Sequence, residues 1–225
     1  MNTFLENALT MPYKIARQIH KIIVLMFLAG GAMAEETVIL AFGDSLTAGY
    51  GLPVVDGFVP QLQNWLDGQG AEVRVINAGV SGDTTAGGLA RINWVLNDEI
   101  DAVILELGPN DFLRGLNPAV ARENLDGIMQ VITEKGLPVL IAGMPAPTNF
   151  GAEYKAEFDA IYPWLAQKYD MPLYPFFMNG IAEMRGQRDV MDFFQPDGLH
   201  PNAEGVALIV EDIGPFVLEL IGMVE

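Results

Sequence analysis

Thr37-Val38-Ile39-Leu40-Ala41-Phe42-Gly43-Asp44-Ser45-Leu46 is the stretch that decides the fold. Six residues without a charge, most of them apolar or β-branched, run straight into Gly-Asp-Ser. A short apolar run of this kind, closed by turn-forming residues, reads as a strand buried on both faces. A serine on the turn that ends such a strand is well displayed for use as a nucleophile.

Working outward, the same pattern recurs. Val73–Asn77, Ala102–Leu107, Leu137–Ala142 and Leu173–Phe176 read as further strands. Between and after them, apolar residues fall at helical spacing over 58–69, 84–96, 118–135, 152–169 and 202–220. Phe177–Gln195 is the least regular part, expected to hold a short helix and a surface loop. Alternating strands and helices predict an α/β fold with a parallel sheet covered on both faces, and a site along the carboxyl ends of its strands.

The polar clusters fall at those ends. Gly43-Asp44-Ser45 follows the first strand, and Asn77-Ala78-Gly79-Val80-Ser81-Gly82-Asp83-Thr84 the second. Gly108-Pro109-Asn110-Asp111 follows the third, and Pro196-Asp197-Gly198-Leu199-His200-Pro201 precedes the last helix. A serine hydroxyl needs a base, and His200 is one of only two histidines in the chain. Asp197 is placed to orient that imidazole. The oxyanion of an acyl-transfer intermediate needs convergent donors, which the N–H groups of Ser45 and Gly82 and the Asn110 side chain would supply. With His200 required neutral, activity should rise from acid toward neutral pH.

Residues 1–34 read as a cleavable export signal. Lys14, Arg17 and Lys21 form a basic region, Ile22–Ala32 is apolar, and Ala32-Met33-Ala34 has the small-x-small cleavage pattern. Eleven apolar residues rise only about 16 Å as a helix, against about 30 Å of bilayer core, so no lasting membrane anchor is expected. Residues 35–225 are then one domain, periplasmic or secreted. The chain has 29 acidic and 12 basic residues, a net charge of −17. That surface repels nucleic acid and anionic membranes, and fits a salt-rich habitat and ordinary acidic drift about equally. No cysteine is present, which removes disulfides, thiolate metal sites and a lipidated cysteine.

Other motifs fail on inspection. Gly79-Val80-Ser81-Gly82-Asp83 lacks the last glycine of a nucleophile elbow, and Gly49-Tyr50-Gly51 lacks the third glycine of a dinucleotide fingerprint. Asp44, Asp83 and Asp111 have the chemistry for magnesium, but no metal is expected. Trp65, Trp94 and Trp164 have the rings to stack sugars, but their helical positions predict core packing.

These segments resemble the blocks of the GDSL/SGNH hydrolase family. Phe42-Gly43-Asp44-Ser45-Leu46 is similar to its first block, Ser81-Gly82-Asp83-Thr84 to its second, Asn110-Asp111 to its third and Asp197-Gly198-Leu199-His200-Pro201 to its fifth. Glu106-Leu107-Gly108, Leu113-Arg114-Gly115, Ile161-Tyr162-Pro163 and Pro172–Met178 are similar to its periplasmic thioesterase, lysophospholipase and arylesterase branch. The resemblance implies a three-layer α/β/α sandwich with a flavodoxin-like five-stranded parallel sheet. It further implies cofactor-free hydrolysis of small-molecule esters and acyl-thioesters, with Ser45 as nucleophile, Asp197 and His200 completing a triad, and Ser45, Gly82 and Asn110 forming the oxyanion hole.

One position departs from the family pattern: Pro109 stands where the family usually has glycine. Proline fixes φ and biases Gly108 away from the helical region, so Pro109, Phe112 and Leu113 are expected to shape acyl selection through a stiffened loop over 112–118. A carbohydrate O-acetylesterase is the second enzymatic reading, and a non-catalytic binding protein on the same fold the alternative from another class.

Overall fold

A computed structural model describes residues 36–224. The export signal assigned to residues 1–34 lies outside the described residues. Five strands, β1 (Thr37–Gly43), β2 (Val73–Gly79), β3 (Ala102–Glu106), β4 (Val139–Ala142) and β5 (Leu173–Tyr174), form one sheet in the order β2-β1-β3-β4-β5. Every pairing is parallel. All residues of β3 and β4 are buried, as are Val38–Gly43 of β1, whereas the edge strand β2 has exposed positions. This is why the inner strands read as unbroken apolar runs.

The helices are α1 (Ser45–Ala48), α2 (Phe58–Gly68), α3 (Thr85–Val95), α4 (Pro109–Leu113), α5 (Pro118–Thr133), α6 (Ala152–Asp159), α7 (Ile161–Tyr169), α8 (Asn179–Ala182) and α9 (Ala203–Ile221). The chain goes outward from β1 to β2 and then back across β1 to β3. Right-handed crossovers therefore put α2 and α3 on opposite faces of the sheet. The α9 helix packs on α2, and α5 packs on α3, which builds the three layers. The reversal occurs between β1 and β3, so their carboxyl ends flank the crevice where ligands bind in open α/β sheets.

The structure refines several expectations. The helix predicted over 152–169 is two helices broken at Ala160. Pro163 has no N–H to give the carbonyl of Asp159, and its ring crowds that carbonyl. The fifth strand shrinks to two residues between Pro172 and Pro175. Segments expected to be loops instead coil into the single turns of α1 and α4, so Phe112 and Leu113 are helical. Trp94 overturns the core assignment outright at 88 % exposure. It stands two residues from buried Ile92, about 200° around the helix and so on its opposite face. Trp164 is also partly exposed, with Arg122 and Lys168 over its ring. Trp65 is partly buried and lies against Gly214 of α9.

Candidate active site

Ser45 is the first residue of α1, launched directly from β1. Asp44 caps that helix, its Oδ1 accepting the Leu46 N–H at 3.0 Å. Glycine is required just before it: a Cβ on Gly43 would stand 2.0 Å from Thr47 Oγ1 and 2.7 Å from the Glu106 carbonyl oxygen. The sharp exit from β1 and the one-turn helix thus fix where the serine hydroxyl points.

His200 arrives from the loop before α9. Its Nε2 is 2.9 Å from Ser45 Oγ, and its Nδ1 is 2.7 Å from Asp197 Oδ2. The second oxygen of Asp197 accepts the N–H groups of Leu199 and His200 at 2.9 and 3.0 Å, so the aspartate folds its own turn around the histidine. The hydrogen bond from His200, with those two N–H groups, pulls the Asp197 carboxyl down to about 2. Asp197 is thereby an ionised acceptor, able to hold the imidazole with Nε2 free to take a proton from Ser45.

Asn110 sits on α4, opposite Ser45. One hydrogen of its Nδ2 goes to Asp44 Oδ2 at 2.8 Å, which leaves the other available. Pro109 is the first turn of α4, where a missing N–H costs nothing. Gly108 before it adopts φ 130°, and a Cβ there would lie 2.3 Å from the Tyr162 hydroxyl. That hydroxyl donates to the Leu107 carbonyl at 3.0 Å. Asp111 is tied to the start of α3, accepting Thr85 N–H at 2.8 Å and Thr85 Oγ1–H at 2.7 Å. Burial pushes its carboxyl upward.

Gly82 lies in the exposed turn after β2 at φ +82°, with its carbonyl accepting Arg114 Nη2 at 2.7 Å. It is not part of the pocket lining. The N–H groups of Ser45 and Gly82 make no hydrogen bond to another described residue. The three aspartates weighed for magnesium are engaged separately, Asp83 with Arg91 at 2.7 Å. Among the described residues no group of three or more His, Asp or Glu is disposed to hold a metal ion.

A pocket of about 450 Å³ opens over these groups, within the size range of small-molecule sites. Ser45, Asn110 and His200 line it, as do all three residues expected to shape acyl selection, Pro109, Phe112 and Leu113. Its remaining wall is mostly apolar, with Met144, Phe176, Met178 and Phe194 prominent.

Several residues of the site escape a sequence reading. The Tyr50 ring lies 4.6 Å from the His200 ring, centroid to centroid. Gln195 clamps the two segments, giving its Nε2 hydrogens to the carbonyls of Tyr50 and Pro201 at 2.8 and 2.9 Å. Arg91 reaches the carbonyls of Ala78 and Gly43, lying over the Phe42 ring. Glu106, at the end of β3, accepts Thr47 Oγ1–H at 2.9 Å beneath α1. Arg91 carried a faint signal, a lone cation at a helical step from Asp83, and Glu106 one only through the branch-like run Glu106-Leu107-Gly108.

Comparison with known proteins identifies the family. A model of the GDSL-like lipase/acylhydrolase family matches residues 41–208. Esterase TesA of Pseudomonas aeruginosa is 37 % identical over 189 residues, covering 84 % of this chain and 91 % of that protein. An arylesterase of Vibrio mimicus is 36 % identical over 190 residues, covering 84 % and 92 %. The crystal structure of AlinE4, an SGNH-hydrolase family esterase, is 48 % identical with a TM-score of 0.68, covering 84 % of this chain and 98 % of that one. The chain belongs to the GDSL-like lipase/acylhydrolase family and is a carboxylic ester hydrolase.

Proposed function

We propose that this chain is an exported serine esterase acting on short- to medium-chain acyl and aryl esters, with acyl-thioesters and lysophospholipids as further substrates. The observation that carries this reading is the Ser45–His200–Asp197 hydrogen-bond chain, at 2.9 and 2.7 Å, on the wall of a largely apolar pocket. Export rests on the basic, apolar and small-residue pattern of residues 1–34.

In this mechanism Ser45 Oγ attacks the carbonyl carbon of the ester while its proton passes to His200 Nε2. Asp197 holds Nδ1–H and stabilises the imidazolium. Negative charge builds on the carbonyl oxygen, met by the free N–H groups of Ser45 and Gly82 and by the second Nδ2 hydrogen of Asn110. Collapse expels the alcohol or thiol, which takes the proton from His200 and leaves Ser45 acylated. Water then repeats the sequence and releases the acid. The apolar wall favours an acyl or aryl group over a charged one.

The test is hydrolysis of nitrophenyl esters and acyl-thioesters of graded chain length. Activity should fall by at least about 10³-fold in Ser45→Ala. Full activity in that variant would overturn the assignment.

A further inference from the structure

Beneath the nucleophile lies a second pair of acids that the mechanism above does not use. Asp44 and Glu106 are 0 % and 1 % exposed. Neither is in an ion pair with a described residue, and the Asp44 backbone N–H donates to Glu106 Oε2 at 3.3 Å, which ties the two acids together at the ends of adjacent strands.

Their donors are distributed unequally. Both oxygens of Asp44 receive an N–H, from Leu46 and from Asn110. Glu106 Oε2 receives Thr47 Oγ1–H at 2.9 Å and Asp44 N–H at 3.3 Å. Glu106 Oε1 receives nothing and is the one buried side-chain oxygen or nitrogen among the described residues without a hydrogen-bond partner. Two buried carboxylates side by side, one with a bare oxygen, are costly. A proton on Glu106 would remove the second buried charge and turn one of its acceptors into a donor.

We propose that Glu106 is protonated at working pH and donates to ionised Asp44, making this acid–carboxylate pair the device that positions the Asn110 oxyanion donor. The inference rests on the serine-esterase reading for its catalytic meaning, but not for its proton. With Asp44 ionised, its Oδ2 accepts only an N–H, so the Asn110 amide is locked with nitrogen inward and its second hydrogen toward the pocket. Double ionisation would set a second negative charge next to the developing oxyanion. Full protonation would let the amide turn its oxygen inward. One shared proton avoids both.

The charged groups around the pair are compatible with this arrangement. Arg91, which reaches the carbonyl of Gly43 next to Asp44, commits its guanidinium to Gly43 O, Ala78 O and Asp83. Tyr162 on α7 donates to Leu107 O, and Asp111 on α4 is held by Thr85. His200 meets Ser45, the residue after Asp44, at 2.9 Å. One retained negative charge at Asp44 favours the imidazolium formed there. Burial first, and then the Asp44 charge, push the Glu106 carboxyl far above the ordinary range, in keeping with the geometry.

The experiment measures the pH dependence of unfolding free energy between about pH 6.5 and 8, in wild type and Glu106→Gln. Gln keeps a donor toward Asp44 but binds no titrating proton. Wild type should release about one more proton on unfolding than the variant. An equal pH dependence means that Glu106 is ionised in the native state and overturns the proposal. In parallel, Glu106→Ala should lower kcat by about 10- to 100-fold with KM within about threefold, and Glu106→Gln should recover to within about threefold of wild type. A Gln variant as impaired as Ala would refute the positioning role. Should the Ala variant fail to fold, the Gln proton count still decides. Absence of ester hydrolysis by wild type would strike at the esterase reading and leave that count unaffected.

Discussion

Two aspartates flank Ser45 and live in opposite surroundings. Asp197 stands on the rim, its side chain 38 % exposed, with the His200 ring and two backbone N–H groups as donors. Its carboxyl is held at about 2. Asp44 lies at the sheet edge beneath α1, fully buried, with two donors and a second carboxyl beside it. Burial drives its carboxyl up to about 6, and the bonds from Leu46 and Asn110 offset this only in part. Removing a carboxylate from water costs several kcal/mol, more than two hydrogen bonds of about 1.5–3 kcal/mol each readily return. The acid that must answer a changing charge on His200 thus keeps contact with water. The acid that holds a fixed amide is sealed in, where motion is small.

The comparison is most severely tested at Asp197. Asp197→Asn replaces an acceptor with a group that can present N–H to Nδ1, favouring the tautomer that cannot accept the Ser45 proton. It should lower kcat/KM by about 10³- to 10⁴-fold while leaving the fold intact. A loss below tenfold, measured on nitrophenyl esters, would break the assignment of Asp197 as the orienting acid. Next in size is Asn110→Ala, which removes the group that joins Asp44 to the pocket. A loss of about 10²- to 10³-fold in kcat with little change in KM is expected for one oxyanion donor. If KM rose instead and kcat held, Asn110 would serve ground-state binding.

How far each acid could be read from sequence follows the same division. Asp197 sits three residues before His200, and a turn of that length brings the two together by local geometry alone. Ser45 was equally legible, because a buried strand must end somewhere and Gly-Asp-Ser marks the place. Glu106 stood out only as part of the branch-like run Glu106-Leu107-Gly108, with no role attached: the apolar residues of Ala102–Leu107 correctly announce a buried strand and hide what the acid does among them. Tyr50 and Gln195 meet across 145 positions of sequence, a contact that no local pattern encodes. The sheet was legible for the reason β1, β3 and β4 are, burial on both faces. One-turn helices such as α1 and α4 are too short to show a period. Pro163 stood in plain view, but the helical periodicity continues past it, so only the backbone reveals the break at Ala160.

The smallest expected effect is on acid stability, where the two acids should act with opposite sign. The folded-state value of Asp44 lies above its ordinary 3.8, so the native state takes up a proton that the unfolded state does not yet bind. The native fold should therefore gain stability from the buried pair as pH falls from about 6 toward 3.8. Asp197 lies below 3.8, so its contribution is fully present above that value and is lost as pH falls toward 2. Solvent screens an exposed carboxylate, so the Asp197 share is the lesser. Thermal unfolding midpoints followed across this range check both. Asp44→Asn should flatten the gain above pH 3.8, and Asp197→Asn should soften the loss below it. A wild-type midpoint that fell steadily from pH 6 with the same slope in Asp44→Asn would mean that Asp44 enters the fold without its desolvation cost, and the contrast between the two acids would fail.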